Sequence, residues 1–440
     1  MIKVITYGTY DLLHYGHIRL LERAKELGDY LIVGVTADDF DKTRGKINVQ
    51  QSLMERVEAV RATGIADEII IEEYEGQKID DIRKYDIDIF TVGSDWVGKF
   101  DYLSEYCKVV YLDRTQGVSS SEIRAEKRQI KLGFVGESIV VDKFLNESKY
   151  VNGITAEAIY TDGGRDIEIR KTASYDELLS CVDALYVFSQ PRLHYEQISR
   201  AIECGKHVLC ETPIALTNEQ SRELHKLAEE KKCILMDSIK TAYSTAYSRM
   251  LLLAKGGRIG KIVSIDATAT SLRDIELIEE NKVDNTWNSI NAWGPTVMLP
   301  VFQLLGTDYK KKTIVSKMLN DTFDVFTKID FVYEDAVATV KVGKGVKSEG
   351  ELIISGTKGY IYVPAPWWKT DYFEVRYENS DDNKRYFYQL DGEGIRYELV
   401  AFLKAIETGK NISYISQEIS DSMSQVIEDF YMRKDFIQLA

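Results

Sequence analysis

Apolar and polar positions over the first 127 residues follow two periods, that of a strand and that of a helix. Short apolar runs predict strands at residues 2–6, 30–35, 68–71, 87–93 and 109–112. Apolar positions three and four residues apart predict amphipathic helices at residues 17–27, 53–62 and 79–84. Strands that alternate with helices in this way favour a parallel sheet with helices on both faces.

The rest of the chain divides into two regions of different pattern. Residues 129–250 again alternate strand and helix, which predicts a second parallel, Rossmann-like domain. After Gly260 the pattern is typical of a mostly antiparallel sheet in an α+β domain. Its predicted strands are residues 261–268, 326–332, 336–342, 350–354, 359–363 and 373–377, and its predicted closing helices are 397–408 and 416–434.

The segment at residues 119–128 predicts a boundary, because a serine-capped helix start runs there into a charged linker. We therefore expect three domains, at residues 1–127, 128–250 and 251–440.

Composition narrows the classes of function. The 440 residues carry 70 acidic and 56 basic side chains, a net charge of −14, which argues against a dedicated nucleic-acid binder. We find no 18-residue apolar run and no signal-peptide pattern at the start, so we expect no membrane insertion and a cytoplasmic location. The five cysteines form no C-x-x-C pair, which indicates free thiols in a reduced compartment.

Two histidines stand three positions apart directly after the first predicted strand. His14 and His17 open an amphipathic helix, and residues i and i+3 of a helix share one face. The amino end of that helix adds free amide donors and partial positive charge, which suits phosphate. Gly8 and Gly16 would let the backbone approach a nucleotide closely. Together these features predict a phosphate site.

Further polar groups follow other strands of the same predicted sheet. Asp95 follows the strand at 87–93, and Arg114 follows the strand at 109–112. The carboxyl ends of parallel strands are where open α/β sheets bind ligands. The basic segment 41–46 reads either as a loop over this site or as a solvated run of charge.

Residues 1–127 resemble the glycerol-3-phosphate cytidylyltransferase family. The family signature H-x-G-H stands at residues 14–17, and its R-T-x-G-x-S-[ST] signature stands at residues 114–120. The resemblance implies an HxGH nucleotidyltransferase domain of Rossmann-like α/β fold. It also implies attack of a phosphomonoester on the α-phosphorus of CTP, with release of pyrophosphate.

The resemblance assigns residues to three roles. The catalytic residues are His14, His17, Lys46 and Arg114. The nucleotide-binding residues are Gly8, Thr9, Tyr10, Asp11, Gly16, Asp95, Thr115, Ser119 and Ser120. The acceptor-binding residues are Asp38, Arg56 and Asp67.

Partners and cofactors follow from the same resemblance. It implies CTP with Mg²⁺, no metal site built by the protein, a small polyol phosphate such as sn-glycerol 3-phosphate, and a homodimer. The product would be a precursor of a cell-surface polymer. Use of ATP in place of CTP stays open, and so does a protein whose two halves only sense nucleotides.

Residues 129–440 resemble the glucose–fructose oxidoreductase and inositol dehydrogenase family. Segments 188–196, 205–213, 260–262, 356–359 and 394–402 carry the likeness. It implies a Rossmann domain followed by a sheet domain, with Gly136, Ser138, Glu211 and Pro213 as the candidate dinucleotide-binding residues.

Several positions of that family's chemistry are changed here. Ser138 replaces the second glycine of the phosphate turn, and Thr212 replaces the family lysine. Alignment puts Ala292, Thr296 and Leu299 at the acid, histidine and second acid positions. Two interpretations stay open. In the first, the second half no longer transfers hydride and is a scaffold, a dimerisation surface or a ligand sensor. In the second, it binds NAD(P) and oxidises or reduces a polyol phosphate or its CDP derivative with substitute groups such as Lys240 or Tyr243.

Overall fold

The chain forms two compact units, Met1–Gln129 and Ile130–Ala440. The computed structural model describes all residues except 38–48, 50, 75, 114–128, 137–139, 152, 162, 164–166, 273–274, 281–282, 389 and 412. The side chains of residues 275, 279 and 391 are also outside the description. The predicted helix start at 119–128 lies outside the described residues.

The first unit is a five-stranded parallel sheet of order β3-β2-β1-β4-β5. Its strands are β1 Lys3–Gly8, β2 Tyr30–Thr36, β3 Glu68–Glu72, β4 Ile89–Gly93 and β5 Lys108–Leu112. Its helices are α1 Tyr15–Lys25, α2 Leu53–Ala62 and α3 Gln77–Tyr85. The predicted parallel sheet is confirmed, and each predicted strand and helix has a counterpart.

Successive residues of β1 explain why helices cover both faces of this sheet. Val4 packs with Leu21 of α1 and Val57 of α2, whereas the next residue, Ile5, packs with Ile82 of α3. Side chains alternate across a strand, so an uninterrupted apolar run supplies two cores. The strand order reverses between β1 and β4, and a crevice opens at the carboxyl ends of strands at such a reversal.

The second unit begins with a six-stranded parallel sheet of order β11-β10-β9-β6-β7-β8. Its strands are β6 Ile130–Val135, β7 Ile154–Tyr160, β8 Arg170–Lys171, β9 Ala184–Val187, β10 His207–Glu211 and β11 Leu235–Ser238. Its helices are α4 Val140–Ser148, α5 Tyr175–Cys181, α6 Pro191–Glu203, α7 Asn218–Lys231 and α8 Thr245–Lys255. The predicted Rossmann-like fold is confirmed.

A nine-stranded sheet of order β19-β18-β17-β16-β12-β15-β14-β13-β20 completes the second unit. Its strands are β12 Ile262–Thr270, β13 Lys311–Met318, β14 Asp324–Val332, β15 Val337–Gly343, β16 Leu352–Gly356, β17 Tyr360–Val363, β18 Tyr372–Arg376, β19 Lys384–Phe387 and β20 Phe436–Gln438. All neighbouring pairs are antiparallel except β12–β15 and β13–β20. The accompanying helices are α9 Ile275–Glu279, α10 Ser289–Leu305, α11 Ile395–Thr408 and α12 Gln417–Tyr431.

The pattern of the sequence misses one long helix, α10. It contains Pro295 and Pro300 and is buried over most of its length, so it shows neither an amphipathic stripe nor proline-free spacing. Strands β13, β19 and β20 were also not predicted. Within the described part of the chain, no helix combines the length and the apolar character needed to cross a bilayer.

Candidate functional site

The first candidate site lies where β1 ends and α1 begins. Gly8 closes β1, and residues 9–14 form the turn that leads into α1 at Tyr15. β1 is flanked by β2 and β4, so this turn lies at the point where the strand order reverses. The structure brings His14 and His17 together here.

His14 is the N-cap residue of α1. Its backbone is extended (φ −131°, ψ 173°), and its Nδ1 accepts a hydrogen bond of 3.1 Å from the backbone N–H of Gly16. An imidazole nitrogen that accepts must be unprotonated, so a neutral ring carries its proton on Nε2. The cap therefore fixes the tautomer in which Nε2–H is the donor.

The His17 ring stacks on the His14 ring. The ring centroids are 3.9 Å apart and the planes meet at 24°. The Tyr10 ring makes a T-shaped contact with His17, with centroids 5.6 Å apart and planes at 71°. A Cβ at Gly8 would lie 3.0 Å from Cζ of Tyr10, so this glycine leaves the space that the tyrosine ring occupies. The two imidazoles are thus held as one unit.

The turn at residues 9–14 carries backbone strain. Tyr10 (φ 53°) and Leu12 (φ 49°) both have left-handed backbone, which is uncommon for residues with a side chain and clusters at functional sites. Asp11, buried beside them, accepts a 3.0 Å hydrogen bond from the backbone N–H of Gln51. The Gln51 side chain in turn accepts from the backbone N–H of Leu12 at 2.8 Å. These contacts stabilise the strained turn.

Arg56 supports the same turn from α2. Its side chain is fully buried, and its Nη1 donates to the backbone carbonyls of Thr9 (2.6 Å) and Thr36 (2.8 Å). Its Nε donates to the carbonyl of Gln51 at 3.2 Å. Thr9 and Thr36 lie at the carboxyl ends of the adjacent strands β1 and β2. Arg56 therefore links two strand ends beside the histidines.

The other sequence-predicted residues of the first unit divide into two groups. Asp95 lies in a short 3-10 turn directly after β4, at the same edge of the sheet as His14. Asp67 precedes β3, where it accepts from the backbone N–H of Leu31 and from Nζ of Lys25. It therefore lies at the amino end of the strands, away from the histidines, because the start of β2 binds it there.

The remaining predicted residues of this site lie outside the described residues: Asp38, Lys46, Arg114, Thr115, Ser119 and Ser120. Among the described side chains of the whole chain, no group of three or more His, Cys, Asp or Glu residues could hold a metal ion.

The second candidate site lies at the carboxyl edge of the β6–β11 sheet. Gly136 directly follows β6 and has φ 122°. A Cβ there would lie 2.6 Å from the backbone N of Ser189, so a tight glycine turn is retained. Ser138 lies outside the described residues. Glu211 is in hydrogen-bond contact with the hydroxyl of Tyr186, and burial raises the pKa of this carboxyl.

A second buried carboxyl, Glu398 of α11, was not predicted from the sequence. It accepts from Oγ of Ser238 at 3.1 Å. Burial and the neighbouring Glu211 raise its pKa well above the usual range. A glutamate in an amphipathic helix normally faces water, so only its tertiary position identifies it.

His194 and Pro213 form a structural contact. The His194 ring is buried, with Nδ1 2.8 Å from the carbonyl oxygen of Pro213 and Nε2 2.8 Å from that of Ser189. Burial lowers the pKa of this imidazole. Because both ring nitrogens face backbone carbonyls, His194 serves packing.

The positions aligned with oxidoreductase catalysis carry no proton donor of the family kind. Thr212 is buried. Ala292, Thr296 and Leu299 lie on α10, with Leu299 fully buried.

Of the substitutes suggested by the sequence, Tyr243 is buried with its hydroxyl 3.0 Å from Oγ of Ser413. Burial raises its pKa well above the usual range. Lys240 binds Glu393 at 2.7 Å. The hydroxyl of Tyr243 is thus bonded within the protein, and the ammonium of Lys240 is paired with a carboxylate.

Comparison with known proteins places these sites in context. Residues 5–126 match a family model described as cytidylyltransferase-like. The chain is 52% identical to the glycerol-3-phosphate cytidylyltransferase of Bacillus spizizenii over 126 residues, 29% of this chain and 97% of that protein. It is 48% identical to the Staphylococcus aureus enzyme of the same name over 130 residues, 29% of this chain and 95% of that protein.

The second unit is similar to oxidoreductases. Residues 150–238 match the model described as oxidoreductase family, NAD-binding Rossmann fold. A 3-ketoreductase from Actinomadura kijaniata, solved with NADP and TDP-benzene, superposes with a TM-score of 0.63 at 18% identity. The match covers 71% of this chain and 99% of that chain. It establishes the fold of this part of the chain.

Proposed function

The chain belongs, through its first unit, to the glycerol-3-phosphate cytidylyltransferase family, and from this premise we propose that it transfers CMP from CTP to a small polyol phosphate. Our preferred acceptor is sn-glycerol 3-phosphate. The observation that carries the proposal is the stacked His14–His17 pair at the amino end of α1, beside the reversal of strand order. Identity of 52% over almost the whole length of a relative supports it.

The reaction joins an oxygen of the acceptor phosphate to the α-phosphorus of CTP. The bond between that phosphorus and the bridging oxygen to the β-phosphate breaks, and pyrophosphate leaves with the electron pair. No covalent enzyme intermediate is needed, so catalysis consists of positioning and of stabilising the charge that develops.

Each imidazole has a defined part in this proposal. The Nε2–H of His14 donates to a non-bridging oxygen of the reacting phosphate, because its Nδ1 accepts from the backbone of Gly16. His17, stacked on it, donates to a second oxygen. The amide groups and the dipole of the first turn of α1 add to the same stabilisation.

In this proposal the triphosphate and the departing pyrophosphate are bound by five further residues: Lys46, Arg114, Thr115, Ser119 and Ser120. Asp95 would contact the base or orient a neighbour. Mg²⁺ would enter with the nucleotide, because it is usually held by substrate phosphates and water with few protein ligands. It would neutralise phosphate charge.

Of the three residues that the sequence assigned to acceptor binding, we keep only Asp38 in that role. Asp38 stays a predicted acceptor contact. Arg56 bonds the backbone carbonyls of Thr9, Thr36 and Gln51, and these bonds favour a positioning role. Asp67 lies at the other end of the strands, so we leave it out of the proposed site.

Replacement of His17 by Ala tests the proposal. Loss of one pre-organised donor costs about 3 kcal/mol of transition-state stabilisation, so we expect turnover to fall at least about a hundredfold. Pyrophosphate release with each of four nucleoside triphosphates and a panel of polyol phosphates would be measured.

Arg19→Ala is a matched control, because residues two apart on a helix point to opposite sides and Arg19 pairs with Glu22 at the surface. If His17→Ala kept near-normal turnover, the assignment of His17 as a donor to the reacting phosphate would be wrong. If the chain released pyrophosphate faster from ATP than from CTP, the proposal that CTP is the substrate would be wrong.

For the second unit we propose ligand binding without hydride transfer. The positions of the family proton donor hold Ala292, Thr296 and Leu299, and Tyr243 and Lys240 are bonded elsewhere. NAD(P) stays the candidate cofactor, because the turn at Gly136 is retained. Oxidation of NADH or NADPH by the full chain in the presence of polyol phosphates or CDP-alcohols would overturn this proposal. The homodimer and the cytoplasmic location stay predictions.

A further inference from the structure

Three lysines converge on one carboxylate in the second unit. Lys143 Nζ lies 3.0 Å from Oε1 of Glu393, Lys369 Nζ lies 2.6 Å from the same oxygen, and Lys240 Nζ lies 2.7 Å from Oε2. The four side chains come from α4, the segment after β11, and two 3-10 turns at 367–369 and 391–394. We call this group the lysine cluster.

The lysine cluster has an excess of positive charge. One carboxylate faces three ammonium groups. Burial lowers the pKa of Lys369, and the nearby charges of Lys240 and Lys143 lower it further, which shows how close together the three lysines lie. The bonds from the lysines keep the pKa of Glu393 far below its usual range, so that carboxylate is charged. The described groups of the cluster therefore sum to two positive charges.

Three further carboxyls, those of Glu147, Glu211 and Glu398, lie near the lysine cluster. Glu211 and Glu398 are within electrostatic reach of Lys240. Burial raises the pKa of both carboxyls, that of Glu398 well above its usual range, which favours the neutral form of Glu398. Glu147 packs against Gly392 and accepts a hydrogen bond from Arg396, so the charges of Glu147 and Arg396 cancel each other.

The position of the lysine cluster is that of a ligand site. Lys143 is in the first turns of the helix that follows β6, and Lys240 follows β11, so both lie at the carboxyl edge of the parallel sheet. The cluster is also partly open, since the side chains of Lys240 and Lys369 are 26% exposed. Anions can reach it.

Glu393 is held in the cluster by unusual backbone. Its φ is 55°, between Gly392 at 56° and Gly394 at 93°. Three consecutive left-handed residues are rare where one carries a long side chain, and such strain concentrates at ligand clamps. The carboxylate occupies the place that an anion would take between the lysines.

Two tryptophans lie next to the lysine cluster in the fold. The rings of Trp293 and Trp368 are 5.0 Å apart, and Trp368 directly precedes Lys369. The carbonyl of Trp368 accepts from Oγ1 of Thr241, the neighbour of Lys240. Aromatic rings beside basic groups are the usual partners of a nucleobase joined to phosphate.

We infer that the lysine cluster binds the diphosphate of a CDP-alcohol, the product of the first unit, with Glu393 as an internal counter-ion that the ligand displaces. This inference rests on the proposed function. A diphosphate that links two alcohols carries two negative charges, which matches the excess of the cluster. The cytosine ring would stack on Trp293 or Trp368.

Lysine footprinting on the full chain tests the inference. Acetylation of individual lysines would be followed by mass spectrometry, with CDP-glycerol, NADPH or inorganic pyrophosphate as the probe. We expect CDP-glycerol to slow acetylation of Lys143, Lys240 and Lys369 at least about fivefold, and to leave Lys261, which pairs with Asp335 at the surface, unchanged. Because the readout is specific to each lysine, CDP-glycerol bound to the first unit does not interfere.

Two variants with opposite effects exclude misfolding as the explanation. Lys369→Met removes a charge-assisted contact and should raise the concentration for half-protection about tenfold. Glu393→Gln removes the competing carboxylate and should lower it severalfold, which a damaged fold would not do. Lys261→Met is the matched control and should have no effect.

The remaining outcomes separate this inference from the proposed function. No protection by CDP-glycerol, in a chain that forms CDP-alcohol from CTP, would overturn the inference alone. Protection by NADPH but not by CDP-glycerol would overturn it too, and would assign the cluster to a dinucleotide. A chain that forms no CDP-alcohol would overturn the proposed function, on which the inference rests.

Discussion

His14 combines two roles that a pair of substitutions can separate. Its Nδ1 caps α1 by accepting from Gly16 N–H, and its Nε2–H is proposed to stabilise the reacting phosphate. Alanine removes both contributions. Asparagine is a good N-cap residue, and its side-chain oxygen can accept the same bond, but it has no imidazole.

The expected magnitudes follow from these contacts. Loss of the cap should lower the local stability of α1 by about 1 kcal/mol in His14→Ala, whereas His14→Asn should keep most of it. Loss of the imidazole should lower turnover at least about a hundredfold in both variants.

Two assays report the two roles separately. Hydrogen exchange of peptides from α1 measures the cap, and release of pyrophosphate from CTP measures the chemistry. If His14→Asn kept turnover within about tenfold of the unmodified chain, His14 would be a cap only. Equal loss of α1 protection in both variants would refute the capping argument.

Three further predictions concern buried charge. Arg56→Lys should destabilise the first unit by about 2–4 kcal/mol, because lysine cannot reach three backbone carbonyls. It should also lower kcat/KM for CTP and for the acceptor by a similar factor. A rise confined to the KM of the acceptor would instead indicate that Arg56 contacts the acceptor directly. Lys78→Met should lower the free energy of unfolding by about 3–5 kcal/mol in a denaturant titration, because it removes the Lys78 ammonium from the buried Glu72 carboxylate. A second change, Glu72→Gln, should recover part of that loss. Burial raises the pKa of Asp324 to about 6 from its ordinary 3.8. The free energy of unfolding of the second unit should therefore fall by up to about 3 kcal/mol as the pH rises from about 4 to above 6. If thermal unfolding of Asp324→Asn showed the same dependence on pH as the unmodified chain, this prediction would be wrong.

The sequence determined the fold class of both units and the centre of the first site. Period-two and period-3.6 patterns are local properties, and burial on both faces of a parallel sheet leaves apolar runs that can be read directly. His14 and His17 were found from local spacing too, because two residues three positions apart at a helix start lie close together; the structure places His14 at the N-cap of α1 and not inside the helix. The capping bond between His14 and Gly16 is local too.

Tertiary structure alone decided the contacts that join distant segments. Arg56 and Asp67 had the same predicted role, yet one bonds the ends of β1 and β2 beside the histidines and the other bonds the start of β2. Which end of a sheet a polar residue serves depends on the direction and order of the strands. Periodicity does not contain that information.

The lysine cluster makes the same point more strongly. Lys143, Lys240, Lys369 and Glu393 are spread over 250 residues of sequence, and each by itself resembles an ordinary charged surface residue. They meet because the parallel strands β6 and β11 both end at the carboxyl edge of their sheet, and the fold brings residues 369 and 393 to that edge. Long-range packing sets the charge of that site, and a one-dimensional pattern records only neighbours along the chain.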